Sequence, residues 1–323
     1  MKSIGILGVA IAATSALAIG LLTACASAPP PARRVAVQPH IPPSAFERPA
    51  PIGAERGLAA QASAFESFMR HARGIDAGFS GPSDVAQALQ TGAGHEPKEL
   101  EAGMVAYAAL AALQEPRFVA AVRAERDRSE LARRLTDNPH SALALPGGDA
   151  AAARAAGALY AQGSGLSGEG EKVKHAAYSI QRQAWARATV PNAAGRLSEV
   201  KHISAAGYQP RREDAAALQA ALDHPERRGG APGPLVARGV ALAALSVMGE
   251  EGRGRSLMSE PRTGSCLRLA KLNLYQCLAS AGPHYEDIYC LGQHAMIDPG
   301  KCVVDAAKAP AHPLATTKAS YSR

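Results

Sequence analysis

Five cysteines are the residues of this chain whose type and spacing speak most directly of chemistry: Cys25 stands alone, and Cys266, Cys277, Cys290 and Cys302 cluster near the C-terminus. An even, clustered set reads as two disulfides where the compartment is oxidising. Zinc is the rival ligand, with His284 and His294 nearby, but no short C-x-x-C pair supports a metal site. Helical geometry narrows the three possible pairings. Eleven residues correspond to about 1,100° of rotation and about 16 Å of rise, so Cys266 and Cys277 share one face of a helix yet stand too far apart to bond to each other. Ala281-Gly282-Pro283 turns the chain, and the segment from Tyr285 to Met296 runs back until Asp298-Pro299-Gly300 ends it. In an antiparallel hairpin, residues equidistant from the turn meet. Cys277 is therefore expected to pair with Cys290, and Cys266 with Cys302.

The lone Cys25 has a different setting. Met1-Lys2-Ser3 supplies a short positive start, and Ile4 to Leu22 is an uncharged run of Ile, Leu, Val, Ala and Gly that leads into Leu22-Thr23-Ala24-Cys25. A basic start, an apolar stretch and small residues before a cut form the pattern of a signal peptide. Leu22-Thr23-Ala24-Cys25 resembles the lipobox of bacterial lipoproteins, in which the Cys sulfur receives a diacylglyceryl group and the leader is removed just before it. The resemblance covers only the leader and Cys25, so it implies an address and an anchor and no activity. Ala26-Ser27, rather than an Asp, follows the Cys, which in that class implies the outer membrane, on its periplasmic face. An uncleaved transmembrane helix is the competing reading of the apolar run. The C-terminal cysteines are similar to disulfide-stapled helical hairpins with twin C-x9-C motifs, although the spacings here are x10 and x11.

Other fragments of catalytic signatures lack their structural context. Gly163-Ser164-Gly165-Leu166-Ser167-Gly168 fits G-x-G-x-x-G, but an Ala-rich helical stretch precedes it where a dinucleotide site needs a strand, so a flexible interhelical loop is expected. Ser198-Glu199-Val200-Lys201 fits S-x-x-K, and Arg262-Thr263-Gly264 echoes K-T-G, without the S-D-N element or sheet that penicillin-recognising enzymes require. Glu66-Ser67 is similar to the Glu-Ser dipeptide of lytic transglycosylases, but the Gly-, Met- and Gln-containing run of that family does not follow it. On helical periodicity Glu66 belongs to the polar face of its helix. Tyr107, Tyr178 and Trp185 are aromatic enough to line a sugar-stacking groove, with core packing the default for all three. The ten His show no H-E-x-x-H spacing.

The elements that must carry these residues are helical. Hydrophobic residues make up 47% of the chain but aromatics only 4%, and alanine, which carries much of the apolar count, favours helix over strand. The expectation is an all-α fold, a multi-helix bundle or array with a C-terminal disulfide-stapled helical hairpin. Leu58, Ala62, Phe65, Met69 and Ala72 form one stripe. Pro97 and Pro116 each suit a first helical position. Leu100 to Leu113 is apolar nearly all round, the pattern of a buried central helix. Asp149 is suited to cap a helix through Tyr160 that stops at Gly163; Val173 to Ala184, Leu197 to Ile203, Asp214 to Leu222 and Leu235 to Met248 add further helices. The expected organisation is a signal peptide over 1–24, an acylated Pro-rich tether over 25–51, a helical body over 52–262, the Cys-stapled hairpin over 263–304 and a tail over 305–323. Eight prolines between Pro29 and Pro51 favour polyproline II, a reach of roughly 60–70 Å.

Charge excludes one class of partner. Loss of the leader removes Lys2 and leaves 34 basic and 28 acidic residues, a net charge of +6. No Lys/Arg block is long enough to track a phosphate backbone, so nucleic acid is not expected as a partner. The expected partners are the membrane, through the lipid anchor, and the cell wall or an envelope protein. No cofactor is expected. A non-catalytic helical scaffold or adaptor is the leading functional expectation, and a cell-wall hydrolase or transglycosylase using Glu66 as its acid is the alternative. The anchor is tested by metabolic labelling with a fatty acid: the wild-type protein should be tagged and a Cys25→Ser variant should not, and equal labelling of both would refute the lipobox reading.

Overall fold

The computed structural model describes residues 57–209, 211–223 and 230–309. The leader, Cys25 and the Pro-rich segment lie outside these described residues, as does the stretch after residue 309. The fold is all-α, with helices α1 (Leu58–Arg73), α2 (Pro82–Ala93), α3 (Pro97–Ala112), α4 (Pro116–Ala124), α5 (Arg128–Asp137), α6 (Gly148–Ile180) and α7 (Ala184–Arg187) in the first part. Then follow α8 (Ala193–Ala205), α9 (Asp214–Asp223), α10 (Pro234–Met248), α11 (Pro261–Ser280), α12 (His284–Cys290) and α13 (Asp298–Ala306). Short 3-10 helices at Pro139–Ala144 and Glu251–Met258 join some of these, and a π-helical stretch, Leu291–Ile297, joins α12 to α13. Among the described residues there is no strand, and no helix is long and apolar enough to cross a membrane.

The centre is α3, whose residues from Gly103 to Ala112 are all buried and which packs on α1, α6 and α10. Small residues set how closely these helices approach. A methyl group at Gly103 would stand 2.7 Å from the Gln61 carbonyl oxygen on α1, and one at Gly239 would stand 2.6 Å from the Ala108 Cβ. Alanine then fills what space is left, with Ala106, Ala108, Ala109, Ala111, Ala241 and Ala243 all fully buried. An Ala-rich chain with few aromatics thus builds its core by bringing backbones together instead of by filling gaps with large rings. Pro97, Pro116, Pro234 and Pro261 each open a helix, where the missing N–H has no intrahelical partner to lose.

Two expectations about helix ends are corrected. The glycine-rich run Gly163–Gly168 is no loop: it lies inside α6, a helix of 33 residues that spans about 50 Å and runs on to Ile180. Gly163 and Gly170 are buried there because the 291–306 run lies against them. A methyl group at Gly163 would meet the Gly300 carbonyl oxygen at 2.6 Å, one at Gly170 the Met296 Cβ at 2.8 Å, and one at Gly292 the Lys174 backbone nitrogen at 2.5 Å. The helical propensity lost at these glycines is offset by backbone-close packing. Likewise Asp298-Pro299-Gly300 does not end the hairpin. The π-helical turn just before Pro299 accommodates its ring and missing N–H, and the chain continues helically to Ala306.

The disulfides join as the hairpin geometry requires. Cys277 bonds Cys290 across the Ala281-Gly282-Pro283 turn, and Cys266 on α11 bonds Cys302 on α13, with Cα separations of 5.6 Å and 5.7 Å. Crosslinks closing loops of this order restrict the unfolded chain and contribute roughly 2–4 kcal/mol each in the entropy model. The inner face of α11 carries Leu267, Ala270, Leu274 and Leu278, whereas Leu269 and Leu272 are exposed. Arg196 on α8 fastens the turn from outside: it donates to the carbonyl oxygens of Leu278 and Ala281 and pairs with Asp287 of α12 at 2.5 Å. The glycine contact is testable within one helix. Gly163→Ala should destabilise by about 1–3 kcal/mol through overpacking, whereas Gly168→Ala, with nothing within 4 Å of the added methyl, should stabilise by about 0.5–1 kcal/mol through helix propensity. Urea midpoints of the two variants measure this directly.

Candidate functional site

The polar groups of the fold concentrate where α1 meets α9, α8 and α2. Glu66 and Arg70 are one turn apart on α1, and α9 packs across them. Arg70 Nε donates to both Glu66 oxygens at 3.1 Å and 3.3 Å, and its Nη2 donates to Asp214 Oδ1 at 2.7 Å. Asp214, at the head of α9, also accepts from the Tyr208 hydroxyl at 2.5 Å and the Arg211 backbone N–H at 2.9 Å. The side chain of Glu66 is only 3% exposed and that of Asp214 is fully buried. Glu66 is therefore not on a solvated polar face, as its position off the apolar stripe of α1 had implied. The face that periodicity marks as polar is covered by a second helix, which brings its own carboxylate to the same guanidinium.

Burial raises the Glu66 carboxyl above its ordinary value, with Arg70 opposing and Asp214 adding to the rise. Burial also pushes Asp214 upward, but the Tyr208 hydroxyl, the Arg211 N–H and Arg70 outweigh it and hold the group below its ordinary value. One cation thus serves two buried carboxylates. A cavity of about 490 Å³ and another of about 470 Å³ open beside the cluster, sharing His71 and Thr91 in their walls. Arg70 lines the first and Ser67 the second; Glu66 lines neither.

Ser67 and His71 have the look of a nucleophile and its base, with Oγ and Nδ1 3.2 Å apart. The opposite ring nitrogen, Nε2, faces Arg70 Nη1 at 3.4 Å and Arg211 Nη1 at 3.5 Å. A guanidinium only donates, so Nε2 accepts and the ring proton sits on Nδ1, pointing at Ser67. His71 in that tautomer gives a hydrogen bond to Ser67 and takes no proton from it. Burial, together with Arg70 and Arg211, lowers the His71 pKa, which favours the neutral ring.

Next to this cluster is one that the sequence reading missed. Lys271 on α11 is buried, with Nζ 2.9 Å from the Ala93 carbonyl oxygen, 3.3 Å from Ser204 Oγ and 3.3 Å from His95 Nδ1. Ser204 itself bonds the Val200 and Ala93 carbonyls at 2.7 Å and 3.0 Å. Among the described residues no carboxylate is hydrogen-bonded or ion-paired to the ammonium, and burial drives its pKa down to about 7, with Glu96 opposing. The signal was present in the register: Lys271 falls on the stripe of Leu267, Leu274 and Leu278, where a charged residue is out of place. His95 packs against Phe68 with ring centroids 4.2 Å apart and planes tilted by 52°.

The remaining candidates scatter. Tyr107 is buried, donating to the Ala221 carbonyl and accepting from Gln162. Trp185 is half-buried and bonds Gln183. Tyr178 is 52% exposed, against the core role expected for it. It meets Tyr289 edge-on at 6.2 Å, and with Tyr285 the pair lines a groove of about 350 Å³ over the Cys277–Cys290 bridge. Met296 is fully buried. Ser198 is exposed on α8, Lys201 lies over the Tyr275 ring at 5.7 Å, and the Thr263 hydroxyl donates to Glu260. Among the described residues no group of three or more His, Cys, Asp or Glu side chains could hold a metal ion. Comparison with known proteins gives no matching family model, no matching curated protein and no matching solved structure.

Two measurements probe these clusters. Arg70→Met strands two buried carboxylates and should cost about 3–5 kcal/mol; adding Glu66→Gln and Asp214→Asn should restore much of it, and unchanged stability of the single variant would show that the shared cation is dispensable. For Lys271 the ordinary pKa is 10.5 and the folded value about 7, so between these the unfolded chain holds more protons and stability rises with pH. Lys271→Met should lack that slope. The check is the difference in urea midpoint between wild type and variant, measured at pH 7 and again at about pH 9.

Proposed function

We propose that this chain is a lipid-anchored envelope protein on the periplasmic face of the outer membrane, acting as a non-catalytic helical scaffold or adaptor that holds the cell wall or another envelope protein near the membrane. The observation that carries the non-catalytic part is the commitment of Glu66. Its carboxylate is tied to Arg70, which is itself shared with Asp214, and it forms no part of the neighbouring cavity walls. A general acid for glycoside cleavage has to reach the leaving-group oxygen and be paired across the bond with a second carboxylate. Here the second carboxylate lies behind the same guanidinium. The Ser67–His71 pair supports the same reading through its tautomer.

Two disulfides support the export part, since such bonds persist in oxidising compartments and are rare in the cytosol. The lipobox resemblance at Leu22-Thr23-Ala24-Cys25 supports the anchor. A Pro-rich tether and a body crosslinked at one end suit a part that bears load or presents a surface. The raised Glu66 pKa is the one observation that favours the hydrolase alternative, because a catalytic acid must be protonated. Purified protein and its Glu66→Gln variant should both leave peptidoglycan intact under conditions in which a lytic enzyme clears it. Clearing by wild type and not by the variant would overturn the proposal.

A further inference from the structure

Among the described residues the large hydrophobic side chains left exposed are Tyr178, Leu269 and Leu272. The two leucines sit together on α11, one turn apart, at 56% and 49% exposure. At about 100° per residue, Ser265, Leu269, Leu272 and Gln276 fall within about 60° of one another, with Arg268 beside them, and all five are exposed. The helix cannot roll to hide this face. Leu267, Leu274 and Leu278 hold the opposite face in the core, and the bonds from Cys266 to Cys302 and from Cys277 to Cys290 fix its flank.

The charge around the leucines has one sign. None of the 20 residues of α11 is Asp or Glu, and Arg262 and Arg268 are exposed on it. Alongside, α8 sets Lys201 over the Tyr275 ring at 5.7 Å, one turn on from Leu272. Glu199 stands about 200° round α8 from Lys201, on the side away from this face. Glu101 and Glu260 are buried and committed to hydroxyl and N–H donors at the start of α11. Asp305 of α13 shares a cavity wall with Arg262 and is paired with Lys308 at 3.8 Å. Apolar side chains framed by Arg and Lys are the pattern of a helix that lies in a bilayer interface. A second copy of this chain matches less well, because two-fold pairing of these faces sets cation against cation with no carboxylate from α11. An acidic polysaccharide would meet the cations and leave the leucines in water. We propose that the outer face of α11 docks on an anionic phospholipid surface, with Leu269 and Leu272 entering the headgroup region and Arg262, Arg268 and Lys201 meeting the phosphates, an inference that rests on the membrane address proposed above. The Pro-rich tether expected ahead of the body is long enough to let this face turn to the bilayer.

The test uses the chain from residue 25 onward with Cys25→Ser, so that no acyl group contributes, sedimented with vesicles of phosphatidylcholine alone or mixed with an equal part of phosphatidylglycerol. Binding should require phosphatidylglycerol and weaken as salt rises from about 0.05 M to about 0.5 M. Leu269→Ser with Leu272→Ser, at side chains that already face water in the free protein, should weaken it roughly tenfold. Arg268→Gln should weaken it roughly fivefold. Arg117→Gln, which removes the same charge from an exposed position on α4, should change it by less than about twofold. The proposal is overturned by equal sedimentation with both vesicle types, by a leucine variant that binds as wild type does, or by equal losses from Arg268→Gln and Arg117→Gln. A dimer that forms without vesicles and that the leucine variant abolishes would also overturn it, by making a second copy the occupant. Because Cys25 is absent here, failure leaves the anchor standing, and fatty-acid labelling can fail without touching this result.

Discussion

Backbone contact between α6 and the helical run 291–306 is the constraint on which the C-terminal half depends. Side chains normally hold helix axes 8–10 Å apart. Here Gly163, Gly170, Gly292 and Gly300 remove the side chains at the crossing, and each has backbone or Cβ atoms of the opposite helix where its own methyl would be. With the run held that close to α6, Cys302 comes to within 5.7 Å of Cys266 and Met296 is sealed inside. The Tyr178–Tyr289 pair forms at the outer edge of the same crossing. The same economy of side chain operates at α3, where Gly103 and Gly239 admit α1 and α10. A composition poor in aromatics is thereby turned into a dense core.

The polar interior follows a different rule. Three cations are each held by groups from more than one segment: Arg70 by carboxylates on α1 and α9, Arg196 by Asp287 and the carbonyls of Leu278 and Ala281 where α11 ends, Lys271 by a carbonyl, a hydroxyl and an imidazole. Burial raises Asp287 to about 6 despite Arg196, and it lowers Lys271 to about 7. Such groups are poor evidence of stability, because desolvation offsets much of the attraction. They do fix orientation. The His71 tautomer follows from neighbours that can only donate, and it turns the ring proton toward Ser67.

How much of this was legible in the sequence depends on whether the deciding interaction was local. The cysteine pairing was, because helical rise and one turn at Gly282-Pro283 determine which sulfurs can meet. So were α3 and α10, whose apolar residues leave no polar face to be exposed, and the helix starts at Pro97 and Pro116. The proposal of an anchor at Cys25 rests on sequence alone. The run Gly163–Gly168 misled because glycine in isolation is a helix breaker, and its compensation comes from Gly300, over a hundred positions away. Pro299 misled because a wider turn ahead of it absorbs what proline forbids in an ordinary α-helix.

Sequence by itself determined the helical class, the disulfide pairing and the buried centre, all of which follow from periodicity, composition and chain geometry over a few turns. Tertiary structure alone decided the site. Glu66 sits where one helix would leave it in water, and only the arrival of α9 with Asp214 buries it. Lys271, Ser204 and His95 come from three separate segments and have no spacing to betray them. A single helix determines which face its residues share, but the electrostatic character of that face is set by whatever packs against it, and that partner is chosen by the fold as a whole.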